Sequence, residues 1–88
     1  MCFLYMIKNS TEKLYVGISK NPQDRTKYHN LKRGAKFTKY ISNFQIVFLE
    51  EYDVFSEARK REIQIKKWSR KKKDFLIDKY KDGLETKI

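Results

Sequence analysis

From Cys2 to Lys8 the chain is apolar at nearly every position, the pattern of a strand covered on both faces. Leu14, Val16 and Ile18 then alternate with Tyr15, Gly17 and Ser19, which predicts a second strand with one aliphatic face. Asn9-Ser10-Thr11-Glu12-Lys13 between them is turn chemistry, so residues 2–19 read as a hairpin. Such a hairpin brings Tyr5 and Tyr15 to one surface. Gly17, two residues from the Tyr15 phenol, supplies no side chain and leaves open space beside the ring.

Asn21-Pro22 reads as an N-cap followed by proline at the first helical position, with Asp24 in the first turn. The helix is expected to run to about Lys32 and stop before Gly34. Residues 33–43, mixed polar and aromatic, are expected to form an ordered loop. Gln45 to Tyr52 contains Ile46, Val47, Phe48 and Leu49, a third strand. Ser56 is placed to cap a helix ending near Trp68, and Ser69 one ending near Lys81 before Gly83. The order β-β-α-β-α-α predicts an α/β (α+β) domain, a small three-stranded antiparallel sheet flanked by helices. One domain is expected over 1–88, with a core of about 2–80 and a short tail at 82–88.

Charge changes this picture most. Twenty-one Lys and Arg against eleven Asp and Glu leave +10, a field that attracts polyanions and speeds encounter with them. DNA or RNA is therefore the expected partner. A membrane surface is not, because no segment pairs a clean basic face with a broad apolar one. The single Cys2 excludes an internal disulfide, and one Cys with one His is too few for structural zinc. A reducing, cytoplasmic setting is the simplest expectation. The apolar run that ends at Lys8 is too short to span a bilayer and carries no cleavage-site pattern.

The candidate chemistry sits in the helices. Arg25 and His29 are four residues apart and share a face, a phosphate-matching guanidinium beside the chain's one histidine. Taken singly, each is an ordinary surface residue; following directly on the Tyr15 strand, both can reach its end. Ala58, Glu62 and Ile65 share one helix face, so Glu62 borders the apolar stripe. That carboxylate either pairs with Arg25 or a neighbouring lysine, or binds a divalent metal, since Mg²⁺ often uses one or two protein carboxylates. Between Glu57 and Lys81 eleven basic residues against four acids leave +7. Lys66, Lys67, Arg70, Lys71, Lys72 and Lys73 concentrate that charge into a candidate phosphate-backbone track, or else a solvated helix face. Trp68 and Phe75 are read as core.

These residues, in this order, resemble the GIY-YIG (URI) nuclease superfamily. Phe3-Leu4-Tyr5 stands for the first motif and Tyr15-Val16-Gly17 for the second, with Arg25, His29 and Glu62 following in the expected elements. Gly34-Ala35-Lys36-Phe37-Thr38 and Ser56-Glu57-Ala58 with Arg61-Glu62 and Ile65-Lys66-Lys67 look like the small stand-alone YhbQ-like members. The likeness covers about residues 2–77 and makes Gly17 and Gly34 motif positions, with Lys36 a DNA contact.

The resemblance implies cleavage of a DNA phosphodiester at one divalent ion, Mg²⁺ or Mn²⁺, with no small-molecule cofactor. Glu62 would hold the metal and Arg25 would neutralise the scissile phosphate. Tyr15 or Tyr5 would orient or deprotonate the attacking water, with His29 assisting. A free phenol titrates near ~10, so a tyrosine base at neutral pH needs roughly 4 kcal/mol of local stabilisation. A metal ion and a positive field act in that direction.

Departures are few: Phe3-Leu4 replaces Gly-Ile, Ile18 stands where some repair members carry lysine, and the last helices lack a clear downstream asparagine. No appended DNA-binding domain is expected, so substrate selection falls to this domain or to a protein partner. The expected substrate is structured, branched or damaged DNA. The alternative is a nucleic-acid-binding module on the same fold without turnover.

Overall fold

β1 (Cys2–Lys8) is the middle strand of a three-stranded antiparallel sheet of order β2-β1-β3. β2 (Leu14–Ser19) and β3 (Gln45–Tyr52) are its edges. Three helices follow the expected order: α1 (Pro22–Gly34), α2 (Phe55–Lys66) and α3 (Arg70–Lys81). The computed structural model describes residues 1–34 and 44–87; the side chains of His29 and of residues 31–34 lie outside that description. So do residues 35–43 of the loop expected at 33–43, Lys36 among them, whereas residues 33 and 34 of that loop belong to α1.

The sheet has two apolar faces, which is why β1 lacks a polar alternation. Leu4, Met6 and Phe48 pack against Ile65 of α2 and Leu76 and Ile77 of α3. Leu4, Met6, Phe48 and Ile65 are completely enclosed, each worth roughly 1.5–3 kcal/mol relative to exposure. Tyr5 and Ile7 form the second cluster with Phe44, against which Ile46 and Leu49 pack. Ile46 and Leu49 cannot share a face in a regular strand. They do so here because the β1–β3 register slips between Met6 and Ile7, pairing Met6 with Phe48 and Ile7 with Ile46.

Local signals account for the element ends. The Asn9 carboxamide oxygen accepts from the Thr11 and Lys13 amides and the Thr11 hydroxyl, closing the hairpin. Glu12 takes the left-handed φ of 67° that this turn needs, and Arg70 holds it through its carbonyl and carboxylate. Asn21 caps α1: its Oδ1 accepts from the Asp24 amide while its Nδ2 donates to the Asp24 carboxylate. Gly83, at φ 72°, terminates α3, with its amide on the Tyr80 carbonyl and the Leu84 amide on the Lys79 carbonyl.

Three expectations are corrected. Ser56 does not cap α2; Val54 is the N-cap residue, with no side-chain bond, and Ser56 lies inside the first turn. Gly34 is the last residue of α1 and not a stop beyond it. Phe75 is 60% exposed, whereas Trp68 does pack at the edge of the core.

Candidate active site

The β1–β2 register sets Tyr5 opposite Gly17 and Ile7 opposite Tyr15. Tyr5 and Tyr15 are thus diagonal neighbours on one sheet face. Their surroundings differ. Tyr5 is buried, and its ring lies across Gly17: a Cβ there would stand 2.7 Å from the hydroxyl oxygen and 2.8 Å from Cζ. The space beside Tyr15 that the glycine was expected to leave open is therefore filled by Tyr5. Tyr15 is 36% exposed and meets Phe44 edge-on, ring centres 5.3 Å apart. Phe44 is in turn clamped to α1, because Asn30 accepts from its amide at 2.7 Å and donates to its carbonyl at 3.1 Å. One phenol is packed and one is presented.

Arg25 lies in the first half of α1, exposed, with its guanidinium unpaired among the described residues. His29 follows one turn later on the same helix. Glu62 is on α2 and its side chain is only 6% exposed. Burial there follows from the helix face it shares with Ala58 and Ile65. Its carboxylate does not pair with Arg25. Oε1 accepts from Arg59 Nη1 at 2.5 Å, and Oε2 lies 3.2 Å from Lys66 Nζ. Among the described residues no three Asp, Glu, His or Cys side chains gather to hold a metal. A cation would rest on Glu62, with water and phosphate oxygens completing its shell, the mode that suits Mg²⁺.

The basic track is less free than its charge suggests. Arg70 is spent on Asp74 and on Glu12 of the hairpin, and Lys66 on Glu62. Lys72 Nζ sits 4.3 Å from the centre of the Trp68 ring. Lys67 and Lys71 are exposed, and Lys73 is half-buried.

A second polar cluster escaped the sequence analysis. Glu50 of β3 and Arg61 of α2 form a buried two-pronged pair, Nε to Oε1 at 3.0 Å and Nη2 to Oε2 at 3.2 Å. Arg61 also donates to Gln64 and to the Thr86 carbonyl, which ties the residues after α3 back onto the domain. The Tyr52 hydroxyl donates to Glu50 at 2.9 Å, and Lys87 lies over the Tyr52 ring. Burial, then that bond and the carboxylate's charge, push the Tyr52 phenol well above its ordinary value, with Arg61 pulling the other way. A signal was present: Glu50 shares a strand face with Phe48 and Tyr52, and Arg61 falls beside Ala58, Glu62 and Ile65 on the helix.

The sequence model of the GIY-YIG catalytic domain matches residues 1–74. The chain belongs to the GIY-YIG family. That places it in a nuclease superfamily whose members generally use a divalent metal and act on DNA. A UPF0213 protein of Staphylococcus aureus strain Mu3 is 43% identical over 75 residues, 85% of this chain and 92% of that protein. The UPF0213 protein SA0446 of strain N315 matches to the same extent. The solution NMR structure of a UPF0213 protein from Bacillus halodurans superimposes with a TM-score of 0.57 at 28% identity, covering 89% of this chain and 84% of that one. The chain is thus similar to small UPF0213 proteins of about its own length, and its compact α+β fold matches that of the Bacillus halodurans protein. No described helix is long and apolar enough to cross a membrane.

Proposed function

We propose that this GIY-YIG protein is a metal-dependent endonuclease that hydrolyses a phosphodiester in structured, branched or damaged DNA. The observation that carries the reading is the pairing of Tyr5 with Gly17, which seats one phenol and leaves the diagonal Tyr15 presented on the same face. Tyr15 or Tyr5 orients or deprotonates the attacking water, with His29 assisting. The water oxygen bonds to phosphorus as the bridging oxygen on the far side leaves. Exposed Arg25 neutralises the phosphate, which its planar, permanently charged fork suits. Glu62 would hold one Mg²⁺ or Mn²⁺, whose chemistry is to stabilise charge on the phosphate and the leaving oxygen. Lys67 and Lys71, with Lys36, Lys66, Arg70, Lys72 and Lys73, supply sequence-independent attraction to the backbone. A cytoplasmic location and a protein partner for targeting complete the reading.

Purified protein with Mg²⁺ or Mn²⁺ should nick members of a structured-DNA panel, and Glu62→Ala and Tyr15→Phe should each lose at least ~100-fold of that rate. Cutting by both variants at the wild-type rate overturns the assignment. One observation favours the alternative of a binding module without turnover: both oxygens of Glu62 already face protein cations. That alternative expects salt-dependent DNA binding that survives Glu62→Ala, with no metal-dependent product.

A further inference from the structure

Arg59, Glu62 and Lys66 lie on adjoining turns of α2, spaced so that both cations reach one carboxylate. The acid is enclosed, whereas Arg59 and Lys66 are each more than half exposed, at 56% and 53%. One negative charge therefore faces two positive ones, one on each oxygen. Glu12 also faces two cations, Lys8 and Arg70, but it is 70% exposed and Arg70 has Asp74 as a second acid, while Arg61 is held by Glu50, Gln64 and Thr86. At Glu62 the shared acid is buried and neither cation has a second acid among the described residues, so the trio keeps a net positive charge pointing to solvent.

We propose that Arg59 and Lys66 form a binding site for phosphates of the DNA strand, and that Glu62 occupies these cations until the strand arrives. This rests on the reading of Glu62 as the metal-holding residue. A phosphate offers both side chains a charge-assisted partner at least as good as the one they leave, and exposed side chains move at little cost. Once they turn outward, the buried carboxylate loses two neighbouring positive charges that repel a third cation. DNA binding and metal binding thereby favour one another, and the coupling is reciprocal. Arg59 was not among the DNA contacts expected from the sequence.

The test is Mn²⁺ binding followed by the free-ion electron paramagnetic resonance signal, with and without an uncleavable phosphorothioate oligonucleotide and with an oligonucleotide-only blank. Wild type should bind Mn²⁺ about tenfold more tightly when the oligonucleotide is present. The Arg59→Gln/Lys66→Gln double variant should bind Mn²⁺ about tenfold more tightly than wild type without DNA, and gain little from adding it. Its DNA affinity should also fall less steeply with salt, the logarithmic slope shrinking by about two. If the double variant binds Mn²⁺ and DNA as wild type does, while Glu62→Gln abolishes Mn²⁺ binding, the inference is wrong and the role of Glu62 stands. If Glu62→Gln binds Mn²⁺ as well as wild type with DNA present, that role itself falls, and the inference with it.

Discussion

Tyr5 lies across Gly17 so closely that a single added methyl group would stand 2.7 Å from its hydroxyl oxygen. The same cross-strand pair fixes the register that sets Tyr15 opposite Ile7. A side chain at position 17 meets the buried Tyr5 ring, which is packed with Ile7 and Phe44, so one of them must shift. Gly17→Ala should destabilise the domain by about 1–3 kcal/mol, the usual result of overpacking. In a Tyr5→Leu background the same change should cost less, because the ring it strikes is gone. Chemical denaturation of the four proteins gives the coupling. Equal costs in both backgrounds would mean that the ring is not what the methyl group meets.

The Glu50–Arg61 pair is enclosed on both sides, with side chains 1% and 9% exposed. Removing one partner leaves the other charged and without its counter-ion in a site water scarcely reaches. Glu50→Ala or Arg61→Ala should each cost about 3–5 kcal/mol. Arg61→Ala also frees the Thr86 carbonyl, so amide exchange at residues 84–87 should quicken in that variant beyond the Glu50→Ala rate. Denaturation midpoints and residue-resolved hydrogen exchange read the two effects separately. A cost below 1 kcal/mol for both variants would show the pair to be solvated.

Much of the fold was legible because its local signals agree. Cys2–Lys8 and Leu14–Ser19 carry their strand pattern openly, Asn21 and Asp24 announce a helix start, and Gly83 closes α3 where its φ of 72° demands glycine. The pairing of Tyr5 and Tyr15 on one face followed from the hairpin alone. What escaped depends on tertiary choice. Ser56 carries the better capping side chain, but α2 begins at Phe55 behind Val54, which makes no side-chain cap bond. Phe75 has the composition of a core residue, but the stripe of α3 that faces the sheet is filled by Leu76 and Ile77. Glu50 and Arg61 are eleven residues apart in a chain crowded with charges, and only the docking of α2 on the sheet selects this pair. The partners of Glu62 turned on the same kind of choice, a neighbouring lysine and Arg59 on its own helix instead of Arg25 on another.

Tyr52 makes stability depend on alkaline pH. Its phenol is held protonated in the folded chain above the pH at which an unfolded tyrosine ionises, near ~10. The folded state therefore keeps a proton that the unfolded state gives up, and the stability this represents is complete below pH ~10 and is lost as pH rises beyond it. Wild type should lose stability between pH 9 and 11 more steeply than Tyr52→Phe, which has no proton to release. The difference between their denaturation free energies across that range is the measurement. Parallel curves would mean that burial and the bond to Glu50 do not hold the phenol protonated.

Two serines that look alike in sequence separate the two helix starts. Ser69 adopts the extended backbone of an N-cap, and its hydroxyl accepts from the Lys72 amide at 3.3 Å. Ser56 stands inside the first turn of α2, exposed, where a hydroxyl competes with the backbone instead of satisfying it. Ser69→Ala should therefore cost about 1 kcal/mol. Ser56→Ala should be neutral or stabilising by a few tenths, roughly 0.3 kcal/mol, because alanine is the better helix former. Ser69→Asp offers a control: the carboxylate can accept the same amide and sits at the positive end of α3, so it should retain wild-type stability or exceed it. Thermal and urea unfolding of the three variants decide the matter. If Ser56→Ala were the costlier change, α2 would have to begin two residues later than Phe55, with Ser56 as its cap.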